Sequence, residues 1–112
     1  MVICGRDRSR LDEAVATVGD GCTGVVRDVA GIEGGAGFVA DAVKAMGGVD
    51  ILVTNAGGPP AGDFAGTSPE AYQGALELNL LSVVGMCKAA VPAMQERGWG
   101  RVVAITRSRC AS

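Results

Sequence analysis

The sequence predicts an α/β fold built on a parallel β-sheet, and two observations carry that prediction. Short apolar runs alternate along the chain with longer segments whose apolar residues recur at helical spacing, in the order strand, helix, strand, helix, strand. In addition, the apolar run 51–53 stops abruptly at a small-residue loop that contains Pro59 and Pro60. A strand buried on both faces that breaks into such a loop is typical of the ligand-binding edge of an open α/β sheet.

Length and composition describe one domain. With 112 residues, of which 48% are apolar and 20% charged, the chain is long enough to bury a core. The net charge of −2 and the scattered basic residues argue against a nucleic-acid partner. No uninterrupted apolar run is long enough to span a bilayer, and the sequence does not start with a signal-peptide pattern, so we expect no membrane partner.

The cysteines and the lack of histidine bear on metals and redox state. The cysteines are far apart in the sequence and form no CxxC pair, so neither a zinc site nor a disulfide framework is expected. They are Cys4, Cys22, Cys87 and Cys110. Histidine, the usual metal ligand and general base, does not occur. We therefore expect a cytoplasmic protein with reduced thiols.

The first strand–helix unit begins with the apolar run 1–4. Asp7 or Ser9 can cap a helix after it, and Gly19 and Gly21 end that helix. The apolar side chains predicted to share one face of this helix are Leu11, Ala14, Val15 and Val18.

The second unit consists of a strand predicted over 23–29 and a helix predicted over 33–46. Phe38, Val39, Ala42, Val43 and Met46 recur at helical spacing in this helix. Glycines weaken its first turn, and Gly47-Gly48 stops it before the strand predicted over 49–53.

The long helical pattern after the loop begins at Ser68, which is suited to cap it, followed by Pro69 and Glu70 in the first turn. The pattern runs to about residue 97, and Pro92 should bend it. Its predicted apolar stripe consists of Leu80, Val84, Cys87, Val91 and Met94. A further strand is predicted over 101–106.

Four motifs in this framework make residues 1–106 resemble the short-chain dehydrogenases/reductases, a family of nicotinamide-dependent enzymes. They are Asn55-Ala56-Gly57 after the third strand, Asp28-Val29 after the second, Asn79-Leu80 in the long helix, and residues 100–105 as the next strand. The resemblance implies a Rossmann-like, doubly wound parallel sheet. It also implies an incomplete one, because the family's first strand and helix and its C-terminal catalytic part have no counterpart here.

The resemblance implies a cofactor site at the carboxyl ends of the strands. Asn55, Ala56 and Gly57 would line the cofactor cleft near the adenosine ribose. Asp28 and Val29 would lie against the adenine ring.

The resemblance also implies roles for three further residues: Gly5 and Arg6 in the choice of cofactor, and Asn79 in the proton relay. Relatives that prefer NAD carry an acid for the ribose 2′-hydroxyl at the end of the first strand of this chain, where Gly5 and Arg6 stand instead. The resemblance therefore implies NADP(H) rather than NAD(H), unless Arg6 is only a solvated turn charge. Asn79 matches the family's catalytic helix asparagine, which breaks the helix locally and holds a water in the proton relay. The alternative for Asn79 is a polar residue on an exposed helix face.

Two parts of the family's machinery have no match. The glycine-rich turn that binds the pyrophosphate would precede Met1, and the catalytic Tyr-x-x-x-Lys would follow the last strand. Tyr72 is the only tyrosine, and Leu76 stands four residues after it. We therefore expect weak or absent cofactor binding and no turnover from this chain alone.

Residues 107–112 form an atypical tail. The family's catalytic serine falls on Arg107, unless the register is off by one and Ser108 is that serine. We hypothesise a shifted reading frame: losing one nucleotide from suitable codons for the family-like Thr-Ser-Val-Ser-Val yields Thr-Arg-Ser-Arg-Cys, the sequence of residues 106–110. Resequencing tests this, because the next frame should resume with Tyr-x-x-x-Lys.

The resemblance also implies a gap in the sheet. In the family's strand order, 3-2-1-4-5, the missing first strand lies between the strands 1–4 and 49–53 of this chain. Its absence leaves two strand pairs about 9.5 Å apart, at the usual spacing of ~4.8 Å per strand. Three outcomes follow: the pairs close into a non-native sheet, a partner chain supplies the strand, or the chain is not stably folded.

Three functions are compatible with the sequence. The first is an NADP(H)-preferring oxidoreductase that transfers hydride between the nicotinamide and a small-molecule carbonyl or alcohol, similar to 3-oxoacyl-carrier-protein reductases. The second is a non-catalytic oligomerisation or regulatory module, because relatives form homo-oligomers through the helices that correspond to 69–97. Packing of this helix on its own sheet would explain the same apolar stripe. The third is a pseudogene product without function.

Overall fold

The computed structural model describes residues 1–55 and 65–105, in which strands and helices alternate as the sequence predicts. The elements are β1 (Val2–Gly5), α1 (Arg8–Val18), β2 (Thr23–Val26), α2 (Gly31–Met46), β3 (Ile51–Thr54), α3 (Pro69–Leu76), a π-helical segment (Glu77–Leu81), α4 (Ser82–Arg97) and β4 (Arg101–Ala104).

The strands form two separate two-stranded parallel sheets rather than one. In one sheet β1 pairs with β2, and Val2 lies opposite Thr23. In the other sheet β3 pairs with β4, and Ile51 lies opposite Arg101. The expected division into two strand pairs is therefore confirmed, and the inner edges of β1 and β3 are not joined by a ladder.

Of the two predicted caps of α1, Asp7 and Ser9, the structure uses Asp7 as the N-cap. Its Oδ1 atom accepts hydrogen bonds from the backbone N–H groups of Ser9 and Arg10. Gly19 ends the helix with φ of 92°, a conformation that favours glycine. The predicted apolar face is only partly correct, because Leu11 is buried whereas Val18 is 51% exposed.

Strand β2 is shorter than the predicted 23–29, and α2 starts earlier than the predicted 33–46. The strand ends at Val26, and the next side chain, Arg27, donates from Nε to Asp41 Oδ2 of α2 at 2.6 Å. The chain then turns into α2 at Gly31, where φ is 80°. The spacing of apolar residues does not indicate that α2 starts at a glycine in the left-handed conformation, so the predicted start was two residues late.

The long helical stretch begins as predicted, with Ser68 Oγ accepting from Ala71 N at 3.2 Å and Pro69 in the first turn. It is not one continuous α-helix, since the π-helical segment separates α3 from α4. Among the described residues, this stretch alone is long and apolar enough to pass a test for a membrane span. A core helix passes the same test, and α4 packs on α2 and β3.

The core lies between the helix pair α2–α4 and the two sheets. Helix α2 packs on β1 and β2, α4 packs on β3, and the most extensive contact between any two elements is that of α2 with α4. The buried apolar cluster consists of Val39, Ala42, Val49, Leu52, Met86, Ala90 and Met94, with Val2, Phe38 and Cys87 packed against it.

The buried face of α4 differs from the predicted stripe. Its buried residues are Ser82, Gly85, Met86, Ala90 and Met94, so only Met94 belongs to both sets. Leu80, at the start of the predicted stripe, is 54% exposed. Small residues, which hydropathy ranks low, form the close contact with α2, while Cys87 of the predicted stripe is partly buried against the core cluster.

Candidate functional site

The residues predicted to bind the cofactor follow the carboxyl ends of three strands. Gly5 ends β1, Asp28 comes two residues after the end of β2, and Asn55 comes directly after β3. Two cavities lie along these ends, with volumes of about 580 and 770 Å³. Ala56 and Gly57 lie outside the described residues, as do the tail 107–112 and its neighbour Thr106.

The smaller cavity is bordered by two arginines at the start of α1. Gly5, Arg6, Asp7 and Arg10 contribute to its lining, and Arg6 and Arg10 are both exposed to solvent. The amino end of α1 contributes the positive end of its dipole to the same place. Such a set of groups favours an anion, and phosphate, like carboxylate, has a geometry that suits guanidinium groups.

The one acidic residue among the described residues that line this cavity is Asp7, and its carboxylate is already engaged. The Asp7 carboxylate accepts hydrogen bonds from Ser9 N at 2.9 Å and from Arg10 N at 3.4 Å, so it serves as the cap of α1. Gly5 itself is not required by packing, because a Cβ atom there would make ordinary contacts of 3.7 Å or more with Leu11. The end of β1 could thus accommodate an acidic side chain, and the sequence places none there.

The larger cavity runs between β1 and β3, with Val29 and Asn55 contributing to its lining. Asp28 is exposed, and its Oδ1 atom accepts a hydrogen bond from Ala30 N at 2.9 Å, which fixes the turn into α2. Val29 is half-buried, whereas Asn55 is exposed. The structure thus brings Val29 and Asn55 to one cavity and Gly5 and Arg6 to the other.

Asn79 lies in the π-helical segment, where the helix departs locally from α geometry. Its Nδ2 atom donates to the carbonyl oxygen of Ala75 at 2.9 Å, and its side chain is exposed. Segments of this kind occur often at functional sites. The role of Asn79 in a proton relay stays a prediction.

Arg10 and Cys4 contribute to the lining of these cavities but were not predicted from the sequence as site residues. Arg10 lies one turn into α1, and only the cap at Asp7 could have indicated that it shares a cavity with Arg6. Cys4 contributes to the lining of both cavities. Burial raises the pKa of the Cys4 thiol, an effect that the charge of Arg27 partly offsets. The thiol is therefore a neutral lining group at neutral pH.

The described residues contain no group of acidic or cysteine side chains arranged to hold a metal ion. Cys4, Cys22 and Cys87 are free thiols. The chemistry that the described side chains offer is therefore anion binding by arginines and hydrogen bonding by Asn55 and Asp28.

Comparison with known proteins gives matches over nearly the whole chain. Residues 1–110 match the family model described as short chain dehydrogenase. The human and the Sumatran orangutan (Pongo abelii) dehydrogenase/reductase SDR family member 4 are each 39% identical to the chain over 110 residues, covering 95% of it. The chain spans 40% of the length of these relatives.

Solved structures agree with the sequence matches. A short-chain dehydrogenase from Streptomyces avermitilis superposes with a TM-score of 0.81 at 32% identity, over 94% of this chain and 39% of that one. A candidate β-ketoacyl-ACP reductase superposes with a TM-score of 0.79 at 33% identity, over 94% of this chain and 42% of that one. The incomplete, Rossmann-like sheet predicted from the sequence is thus confirmed.

Proposed function

Because the chain belongs to the short chain dehydrogenase family, we propose that it forms the adenosine side of an NADP(H) site in an oxidoreductase. The reaction is hydride transfer between the nicotinamide and a carbonyl or alcohol substrate. β-Ketoacyl thioesters are one such carbonyl class, which the resemblance to a candidate β-ketoacyl-ACP reductase supports. Alone, the 112-residue chain binds the cofactor weakly and turns over no substrate.

The cation pair at the end of β1 carries the preference for NADP(H). Arg6 and Arg10 border the same cavity, and Asp7, the one acidic residue in the lining that the structure describes, has its carboxylate held by backbone N–H groups of α1. A ribose 2′-hydroxyl would find no acceptor at Gly5, whereas a 2′-phosphate would meet two guanidinium groups. Asn55, Val29 and Asp28 would hold the adenosine on the far side of β1.

Fluorescence titration with NADPH and NADH tests this proposal, with far-UV circular dichroism on the same samples. Arg6→Ala should weaken NADPH binding about tenfold, because it removes one charge-assisted contact from an exposed site. NADH binding should not change. Arg8→Ala is the matched control, because Arg8 pairs with Asp12 at 3.7 Å on α1 and is absent from the lining of the cavity.

Two results would contradict the cofactor assignment. Equal binding of NADPH and NADH by the parent chain would mean that the arginines do not read the 2′-phosphate. Equal losses in Arg6→Ala and Arg8→Ala would mean that only the overall charge of α1 matters.

The absence of turnover is tested separately, by following NADPH absorbance with a 3-oxoacyl thioester as the substrate. The sequence contains no Tyr-x-x-x-Lys, so no general acid of the family's kind is available to protonate the carbonyl oxygen. We expect no oxidation above the rate without protein, and the same result for Asn79→Ala. Measurable turnover that Asn79→Ala abolishes would overturn the assignment of inactivity and keep Asn79 as a catalytic residue.

A specific observation supports the second candidate function, an oligomerisation or regulatory module. Tyr72, Leu76 and Leu80 recur every fourth residue along α3 and the π-helical segment, and they are 42%, 56% and 54% exposed. An apolar stripe of this kind suits pairing with a second helix, in a homo-oligomer or with an intact family member. Co-purification with such a member, lost in Leu76→Lys, would support the module. A monodisperse monomer that leaves the member unaffected would refute it.

A further inference from the structure

Arg27 stands between the end of the β1–β2 ladder and the turn that carries Asp28 and Val29. Its backbone N–H group donates to Gly5 O at 3.0 Å, and its Nε atom donates to Asp41 Oδ2 of α2 at 2.6 Å. The residue is therefore held at two points, once by the end of β1 and once by the helix layer. Neither bond has a role in the function proposed above.

Two glycines, Gly34 and Gly37, form a notch in α2 that receives this part of the chain. A Cβ atom on Gly37 would lie 2.5 Å from Arg27 Nη1 and 2.9 Å from Arg27 Cζ, so the guanidinium group lies directly against the helix. A Cβ atom on Gly34 would lie 2.7 Å from Asp28 O. Gly34, Gly37 and Asp41 share one face of α2 because they recur at helical spacing. The glycines that weaken the first turn of α2 thus make room for the turn that precedes it.

The Asp28 carboxylate has one oxygen engaged and one available. Its Oδ1 atom accepts from Ala30 N at 2.9 Å, whereas Oδ2 has no partner among the residues that the structure describes. A carboxylate oxygen can only accept a hydrogen bond, so it selects a ligand that offers a donor. The exocyclic amino group of adenine is such a donor, whereas hypoxanthine carries a carbonyl oxygen at the same position. The direction of Oδ2 therefore decides which base is recognised.

We propose that Arg27 is a positioning residue, which fixes the Asp28 carboxylate in the direction in which Oδ2 accepts from the amino group of adenine. The proposal rests on the NADP(H) site proposed above and adds to it a residue that does not touch the cofactor. The side chains of Arg27 and Asp41 are 37% and 29% exposed, and a pair of this kind contributes little to overall stability. Its charge-assisted bond instead fixes the direction in which the chain leaves β2.

The N–H group of Ala30 monitors the Asp28 carboxylate without any cofactor, because it donates to Oδ1. NMR measures the hydrogen-exchange rate of this group in the purified chain. Arg27→Met removes the guanidinium group and keeps a long unbranched side chain. It should raise the exchange rate about fivefold, the effect of losing one net hydrogen bond. An unchanged rate would overturn the proposal.

Arg97→Met is the matched control, because Arg97 also joins a helix to the end of a strand. Arg97 Nη2 lies 3.2 Å from Asp50 Oδ1 and donates to Val49 O, before the amino end of β3 and away from the predicted site. Exchange at Ala30 should not change in this variant. An equal rise in both variants would mean that Ala30 responds only to a loss of stability, and the proposal would fail.

Gly37→Ala displaces the Arg27 guanidinium group without removing a charge. Because the obstructing atoms belong to the end of a flexible side chain, the fold tolerates the added methyl group, and alanine suits a helix better than glycine. The variant should therefore be no less stable than the parent chain, yet exchange faster at Ala30. Gly74→Ala, whose Cβ atom would meet nothing within 4 Å, should leave this rate unchanged. If Gly37→Ala behaves like Gly74→Ala, the notch does not hold the guanidinium group and the proposal is wrong.

Discrimination between two bases tests the role of Arg27 in recognition. Fluorescence titration compares NADPH with its analogue in which hypoxanthine replaces adenine. The parent chain should bind NADPH about tenfold more tightly, because the analogue turns a carbonyl oxygen toward Asp28 Oδ2. Arg27→Met should bring this ratio close to one by weakening NADPH binding, whereas Arg97→Met should preserve it.

The outcomes separate the role of Arg27 from the function on which it rests. If the parent chain binds neither cofactor, the proposed function fails and this role fails with it. If the parent chain binds both equally, Asp28 Oδ2 does not recognise the base, and the proposal is overturned. If the parent chain prefers NADPH and Arg27→Met prefers it equally, only the role of Arg27 is refuted.

Discussion

Gly85 lies where α4 crosses α2. Replacing it with alanine tests whether the backbones of the two helices approach as closely as the structure shows. A Cβ atom on Gly85 would overlap the backbone carbonyl group of Ile32. On the other helix, a Cβ atom on Gly35 would overlap the carbonyl oxygen of Ser82 and lie 3.0 Å from Met86 N. Because the obstructing atoms are backbone, no side-chain rotation relieves the overlap, and the two helices have to separate.

The expected change in the free energy of unfolding is the difference between two opposing effects. Alanine inside a helix is favoured over glycine by about 1 kcal/mol. Forcing a methyl group into a closely packed contact costs about 1–3 kcal/mol, and overlap with rigid backbone belongs at the upper end. We expect Gly85→Ala to lower the free energy of unfolding by about 2 kcal/mol, which corresponds to a Tm lower by about 10 °C for a domain of this size.

Gly74 provides the matched control, because it lies inside α3 and a Cβ atom there would meet nothing within 4 Å. Gly74→Ala should therefore raise the free energy of unfolding by about 0.5–1 kcal/mol. Urea denaturation followed by far-UV circular dichroism measures both variants. If Gly85→Ala is as stable as Gly74→Ala, the close crossing of α2 and α4 is refuted.

Three further predictions concern single contacts. Arg27 holds the pKa of Asp41 below its usual value. The pair therefore stabilises the fold at pH values above the unfolded-state pKa of ~3.9. This contribution is lost as the pH falls through the lower pKa of Asp41 in the folded state. Urea denaturation should therefore show Asp41→Asn less stable than the parent at pH 6, with the difference shrinking at pH 3. Arg97→Ala should lower the free energy of unfolding by about 1 kcal/mol, because Arg97 Nη2 donates to Val49 O at 2.6 Å. Urea denaturation measures this variant as well, and an unchanged urea midpoint would contradict the prediction. Ser68→Ala removes the cap of α3 and should also cost about 1 kcal/mol, whereas Ser68→Asp should retain most of the stability.

Local signals in the sequence predicted the starts of α1 and α3 well. Asp7 and Ser68 cap helices because a short polar side chain just before a helix is well placed to accept from the backbone N–H groups that follow it. Gly47 was correctly placed at the end of α2, where its φ of 84° satisfies a left-handed cap. These features depend on a few neighbouring residues, so a single sequence contains all the information that they need.

The contact between α2 and α4 could not be predicted in the same way. Ser82 and Gly85 have little hydropathy, and their importance comes from which backbone they approach rather than from their own burial free energy. The ion pair between Arg27, the residue after β2, and Asp41 of α2 likewise joins positions that no local pattern links. The cavity that joins Arg6 to Arg10 depends on the direction in which α1 leaves β1.

The crossing of α2 and α4 also bears on the cofactor site proposed above. Among the described residues no ladder joins β1 to β3, and the most extensive contact between elements is that of α2, which packs on β1 and β2, with α4, which packs on β3. The distance from Arg6, after β1, to Asn55, after β3, therefore depends on how closely the helices approach at Gly35 and Gly85. Gly85→Ala should thus weaken binding of NADPH and NADH together, whereas Arg6→Ala should affect NADPH alone. Binding of both cofactors at full strength by folded Gly85→Ala would show that the cofactor site does not depend on the crossing.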